Sequence, residues 1–197
     1  MISRLVIATH NQKIAGEMLT ILGKRFPNIE LLTLANFSDA PEPEETGQTY
    51  SENALIKAMS AFKYSGEWCV ADDAGLEIDA LDGAPGLYSK RFGGEELSFP
   101  DKMAKILTML EGNSDRQARF RCNVCLIGPN HEAVSFEATC EGVIATELSG
   151  TGGFGYDPIF FLPELGCCMA DLTANQKHEI SHRGKVLTQL GDYLASI

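Results

Sequence analysis

The stretch Trp68–Phe92, WCVADDAGLEIDALDGAPGLYSKRF, decides how the rest of the chain is read. It opens on an apolar run, Trp68-Cys69-Val70-Ala71, the length of one buried strand. Two adjacent carboxylates, Asp72 and Asp73, end that run. After Ala74-Gly75, the segment Leu76–Leu81 alternates apolar and acidic residues at the period of a strand. Gly83, Pro85 and Gly86 then predict a turn. Acids placed where a buried strand surfaces are costly unless something positive meets them. A divalent cation answers that need, because hard cations select carboxylate oxygens. A polar strand end followed by a turn is the alternative.

Upstream, Arg4–Thr9 reads as a buried first strand. It stops at Thr9-His10-Asn11, and apolar residues then fall at Ala15, Met18, Leu19, Leu22 and Phe26, which is helical spacing. A strand, a short polar turn and a helix together aim helix N-terminal N–H groups at an anion. Ile29–Leu34 predicts a second strand, and a Pro- and Glu-rich loop follows over Asp39–Gln48. A helix is expected from about Ser51 to Tyr64 with Ala54, Leu55, Ala58, Met59 and Phe62 inward. Asn53 and Lys57 lie four apart and share another face, turned either to solvent or to phosphate.

Downstream, Ser98-Phe-Pro-Asp101 predicts a helix start, with Met103, Ile106, Leu107 and Leu110 on its core side. Gln117–Ile127 and Ala133–Thr146 predict two long strands joined by a Gly128-Pro129-Asn130 turn, as an antiparallel hairpin. Ile159–Leu162 is another short strand, and Ser181 is expected to cap a last helix. The order of elements predicts an α/β protein with a mixed sheet.

The chain has 197 residues and a formal net charge of -11. That balance argues against a nonspecific nucleic-acid binder, which needs a basic face. A phosphorylated small molecule needs only a local cluster of cations and N–H groups, or a metal. No apolar run approaches the length of a membrane span, and the first residues lack a signal-peptide layout, so a cytoplasmic location is expected. The six cysteines are then read as thiols. Cys122-Asn-Val-Cys125 has no second pair at zinc-ribbon spacing and lies in a strand-like run, which favours structural thiols over a metal or redox site.

Gly150-Thr-Gly152-Gly153-Phe154-Gly155 matches the dinucleotide fingerprint in form only, because an apolar strand follows it instead of a helix. These glycines can let the backbone approach a ligand, with Phe154 stacking on a flat ring and Asp157 accepting from ring N–H groups. A tight turn with a core aromatic is the other reading. Near the end, His182 and Arg183 fall in a first helical turn, where the dipole disfavours cations. With Lys177 they suit an anion or a base carbonyl, or they are surface charge.

Taken together in register, these segments resemble the inosine triphosphate pyrophosphatase family. The likeness rests on Thr9-His-Asn11; on Glu45-Thr-Gly47-Gln-Thr49 with Asn53-Ala54 and Lys57-Ala58; on Ala71–Leu76 and Gly83–Phe92; and on Gly152–Pro158 and Ser181-His182-Arg183. It covers nearly the whole chain. It implies one pyrophosphatase domain over residues 1–197, with an elongated mixed β-sheet, flanking helices and two lobes around a central cleft. It implies hydrolysis of ITP, dITP and XTP to the monophosphate and pyrophosphate, with Mg²⁺ as cofactor, in a homodimer. By this likeness Asp73 is the proton acceptor, Asp73 and Glu45 hold the metal, and Asp72 supports them. Thr9, His10, Asn11, Lys13, Asn53, Lys57 and Ala74 would meet the substrate from one side of the motif set. Phe154, Gly155, Tyr156, Asp157, Lys177, His182 and Arg183 would read the base.

Two positions depart from the family pattern. The opening motif T-x-N-x-x-K would put lysine at position 14, where this chain has Ile14 and carries Lys13 one residue early. One step on a helix is a rotation of about 100°. Ala74 stands where the family usually has Ser or Thr, so a hydroxyl contact is absent while the backbone N–H remains. A phosphatase releasing orthophosphate, or a nucleotide-binding protein with impaired turnover, would use the same groups.

Overall fold

Burial of Leu5, Val6 and Ile7 fixes the first strand, β1 (Arg4–Ile7), at the centre of one end of a mixed sheet. The computed structural model describes residues 2–129 and 132–197. The remaining strands are β2 (Glu30–Thr33), β3 (Trp68–Ile78), β4 (Gln117–Ile127), β5 (Val134–Ile144), β6 (Phe160–Leu162) and β7 (Cys167–Cys168). Among the described residues the strand order is β2-β1-β3-β4-β5-β6-β7. β1 pairs parallel with both β2 and β3, whereas the β5–β6 and β6–β7 pairs are antiparallel. The expected mixed sheet is therefore present, with β4 and β5 adjacent. Asn130, the last residue of the expected turn between them, lies outside the described residues.

The expected break at Asp72-Asp73 does not occur. β3 runs without interruption through both aspartates to Ile78, so the two strands expected there are one. Successive side chains of a strand point to opposite faces, and each aspartate meets a cation on its own face, as described below. The charge that argued for a strand end is neutralised in place.

The helices are α1 (Gln12–Arg25), α2 (Tyr50–Ser65), α3 (Phe99–Met109), α4 (Ala174–Ile180) and α5 (His182–Leu194). α1, α2 and α3 follow the apolar spacing of the sequence, and the Ser98 side chain caps α3 by accepting from Asp101 N. α2 ends where Gly66 takes a left-handed backbone conformation at φ 71°. α4 was not anticipated, although Thr173 and Gln176 close a capping box at its start. Ser181 belongs to its C-terminal end and directly precedes α5. Among the described residues no helix is long and apolar enough to cross a membrane.

The chain forms two compact units. The first contains Met1–Asp73, Cys122–Ala138 and Arg183–Ile197; the second contains Ala74–Arg121 and Thr139–His182. In the first, Ala54, Ala58 and Ala61 give α2 a flat small-residue face that packs with Val6, Cys69, Ala71 and Cys125. In the second, Leu76, Ile78, Ile106, Leu110, Phe120 and Phe160 are in the core.

Candidate active site

The first unit builds a charged constellation from a loop, a helix and a strand. Thr49 starts α2, its side chain accepting from Glu52 N at 3.1 Å, while Glu52 Oε2 accepts from Gln48 N at 2.6 Å. Asn53 Oδ1 accepts from Gly47 N at 2.8 Å. A Cβ on Gly47 would lie 2.6 Å from that oxygen, so only glycine lets the loop come so close. The other end of the Asn53 amide donates to Asp73 Oδ2 at 3.3 Å. One side chain thus ties the loop of Glu45 to the strand of Asp73.

One turn further along α2, Lys57 Nζ donates to Asp73 Oδ1 at 2.8 Å and to Glu45 Oε1 at 3.1 Å. The shared face of Asn53 and Lys57 therefore looks onto carboxylates. Burial works against the Lys57 charge, but Asp73, Asp72 and Glu45 outweigh it and hold the ammonium pKa above the ordinary lysine value. Burial lifts the Asp73 carboxyl, Lys57 and Asn53 pull it down, and Glu45 adds to the lift; the balance leaves it above the usual aspartate range. A carboxylate so lifted is a stronger base than a solvated one.

Among the described residues no group of three or more His, Cys, Asp or Glu side chains gathers for a metal. The donor chemistry of the pair nevertheless fits Mg²⁺. That ion uses one or two carboxylates and fills its remaining positions with water and substrate phosphate. Glu45 and Asp73 already converge on a single cation, the Lys57 ammonium.

On the other face of β3, Asp72 Oδ2 accepts from Arg183 Nε at 3.0 Å and Nη2 at 2.7 Å, and Arg183 Nη1 donates to Glu17 Oε2 at 2.9 Å. The Asp72 and Arg183 side chains are only 2% and 4% exposed. Cys122 Sγ lies 3.9 Å from the same Asp72 oxygen, and burial holds that thiol well above its ordinary pKa. Arg183, expected to read a base, pairs here with the carboxylates of Asp72 and Glu17. Glu17 was passed over in the sequence because its partner Arg183 lies 166 residues away.

At the start of α1 the Asn11 side chain caps the helix, accepting from Lys13 N at 3.0 Å and Ile14 N at 3.3 Å. Asn11 N donates to Thr9 Oγ1 at 3.2 Å. Thr9 and His10 line a recess of about 350 Å³ together with Phe37 and Asp39, a wall that does not include Asn11 or Lys13. Lys13 is exposed and Ile14 half-buried.

The second unit gathers a different set. Asp157 Oδ2 accepts from Phe154 N at 2.8 Å and from Lys177 Nζ at 2.7 Å. The ammonium of Lys177 also sits 4.4 Å from the centroid of the Phe154 ring. A Cβ on Gly153 would come within 2.0 Å of Asp157 Oδ2. The glycine run is thus needed for the loop to wrap its own carboxylate, and the residues after it form a single 3-10 turn and β6, with no nucleotide-binding helix. Gly155 lies beside Phe99, and the Tyr156 ring meets Phe99 edge-on at 5.3 Å.

The Tyr156 hydroxyl donates to Ser89 O at 2.8 Å, and Ser89 Oγ both accepts from Leu76 N and donates to Gly86 O. Ser89, unassigned in the sequence, therefore ties the Gly83–Phe92 turn to β3 and to the glycine loop. His182 stacks on Phe120 at 4.8 Å. Ala74 is half-buried in β3.

A family model described as the Ham1 family matches residues 5–193. A dITP/XTP pyrophosphatase of Exiguobacterium sp. is 46% identical over 190 residues, covering 95% of this chain and 94% of the relative. That of Listeria monocytogenes is 45% identical over 197 residues, covering 99% and 96%. A solved structure of a HAM1 protein from Coxiella burnetii superposes with a TM-score of 0.90 at 39% identity, covering 100% of both chains. Sequence and fold agree over the full length, and the chain belongs to the Ham1 family.

Proposed function

We propose that this protein hydrolyses noncanonical purine nucleoside triphosphates (ITP, dITP and XTP) to the monophosphate and pyrophosphate. The observation that carries this reading is the convergence of Glu45, Asp73, Lys57 and Asn53. Breaking a triphosphate is mainly a matter of position and charge neutralisation. Lys57 supplies a cation and Asn53 fixes the Asp73 carboxylate. Water adds across the α–β anhydride: its hydroxyl joins one phosphorus, the bridging oxygen leaves with the other, and the proton passes to Asp73. Mg²⁺, held by Glu45 and Asp73, would neutralise phosphate charge and lower the pKa of the attacking water. Asp72 acts through Arg183 as a positioning residue behind the strand.

In the second unit, Phe154, Lys177 and His182 are the base-reading groups, with Asp157 setting the loop that carries them. Hypoxanthine and xanthine offer a 6-keto acceptor to these donors, whereas adenine offers a 6-amino group. Leaving a buried donor unpaired can cost orders of magnitude in selectivity. Residues 1–197 act as one functional domain, as a homodimer, which sedimentation would test. All six cysteines are free thiols, as a reducing cytoplasm keeps them.

The test is incubation with dITP, ITP, XTP, GTP and ATP, with and without Mg²⁺, followed by product analysis. The reading expects monophosphate and pyrophosphate from the first three, and only with the metal. Orthophosphate as the first product would replace it with a phosphatase.

A further inference from the structure

The Lys57 ammonium already occupies a position between Glu45 and Asp73, the two carboxylates that would hold a metal. It bonds one oxygen of each carboxylate, at 3.1 and 2.8 Å. Mg²⁺ would take oxygens from the same two groups at about 2.0–2.1 Å, and a neighbouring ammonium repels it at that range. Lys57 cannot leave without a new acceptor, since its side chain is only 18% exposed and desolvation already opposes its charge. A triphosphate is such an acceptor, and the flexible four-carbon stem lets the ammonium turn to it while α2 stays in place.

We propose that Lys57 is a resident counter-ion that closes the Glu45–Asp73 pair to free divalent metal and opens it when a triphosphate takes the ammonium. The inference rests on the pyrophosphatase reading. One lysine against two carboxylates leaves the trio at a net charge of about -1, too little to hold a dication firmly beside a retained ammonium. With metal and triphosphate both bound, the metal balances the carboxylates and Lys57 balances phosphate. Each ligand then removes the obstacle to the other, so their affinities are coupled reciprocally. Metal and nucleotide enter together, and the protein without nucleotide does not accumulate metal at this site.

The test measures Mn²⁺ binding by the resonance of the free ion, with correction for Mn²⁺ held by nucleotide alone. The proteins are wild type, Lys57→Met and Asp73→Asn, each with and without the non-hydrolysable α,β-methylene analogue of ITP. Without nucleotide, Lys57→Met is expected to bind Mn²⁺ about tenfold or more tightly than wild type. The analogue should raise the wild-type affinity by a similar factor and the variant's by much less. Equal affinities in wild type and Lys57→Met without nucleotide would overturn the proposal while leaving the metal reading intact. Absence of Mn²⁺ binding by wild type even with the analogue would overturn both. If Lys57→Met does not fold, Lys57→Gln replaces it, and a wild-type Mn²⁺ affinity that ignores the analogue is by itself decisive against the proposal.

Discussion

Asp72 and Asp73 are neighbours in one strand and live in opposite circumstances. Asp72 faces a guanidinium that grips it through two nitrogens, in a pocket nearly closed to solvent. Asp73 shares one ammonium with Glu45, and its side chain is 13% exposed. Each is one of two carboxylates on a single cation, Asp72 with Glu17 on Arg183 and Asp73 with Glu45 on Lys57, but Asp72 takes two hydrogen bonds from its cation and is sealed from solvent. Asp73 takes one hydrogen bond from its ammonium and stays partly open. A satisfied buried pair fixes structure, and breaking it is costly. A partly open carboxylate held by one movable ammonium, and lifted in pKa, can take a proton, and a metal once that ammonium turns away. The Lys177–Asp157 pair resembles the Asp72 side in burial, with both side chains nearly closed to solvent. Burial and the grip of the cation, with the charge stoichiometry the same, separate the acid that holds the protein together from the one that does chemistry.

Substitutions can break this contrast. Asp73→Asn should lower kcat by about 10³-fold, the scale of a lost general base and metal ligand, with a melting temperature at or above wild type. Steady-state assays and calorimetry on the same sample check both halves. A large drop in stability would show that Asp73 is as structural as its neighbour. Asp72→Ala should do the reverse first: about 3 kcal/mol of stability lost, because a buried Arg183 charge is left with Glu17 alone, measured by urea denaturation. Lys177→Met should cost about 2 kcal/mol by leaving Asp157 buried without its cation, and should raise KM for ITP more than it lowers kcat. Unchanged KM would detach that loop from base recognition.

Cysteine chemistry tests the tight side of the molecule at lower amplitude. Burial pushes the Cys69 thiol up to about 11 from a reference of 9.0. The folded state therefore holds this proton more tightly than the unfolded chain. The corresponding stability is full below about pH 9 and is lost as pH rises toward 11, on the order of 2 kcal/mol. Cys69→Ala should flatten that alkaline decline, and an unaltered pH profile would show that another group carries it. The smallest effect expected is that of Ile14→Lys, which should leave turnover at or modestly above wild type. A clear loss would mark Lys13 as the phosphate ligand.

Local signals in the sequence carried much of this. The period of the apolar residues placed α1, α2 and α3, and the spacing of Asn53 and Lys57 put them on one face. The strand through Asp72-Asp73 was not legible, because the Arg183 that makes Asp72 tolerable lies 111 residues away. α4 was legible in its Thr173–Gln176 capping box but is shorter than the apolar period can reveal. Asp157 was legible as a polar group beside glycines; its burial under Lys177 was not, since that contact spans 20 residues and two elements. Charges can be read from a chain, but which charge meets which is a property of the fold.

The most direct measurement is a phosphorus NMR time course of the protein with dITP and Mg²⁺. The account predicts resonances of dIMP and pyrophosphate growing together, with no orthophosphate, and almost no product over the same time when Asp73→Asn replaces wild type. Orthophosphate with dIDP from the wild-type protein, or full turnover by Asp73→Asn, would contradict it.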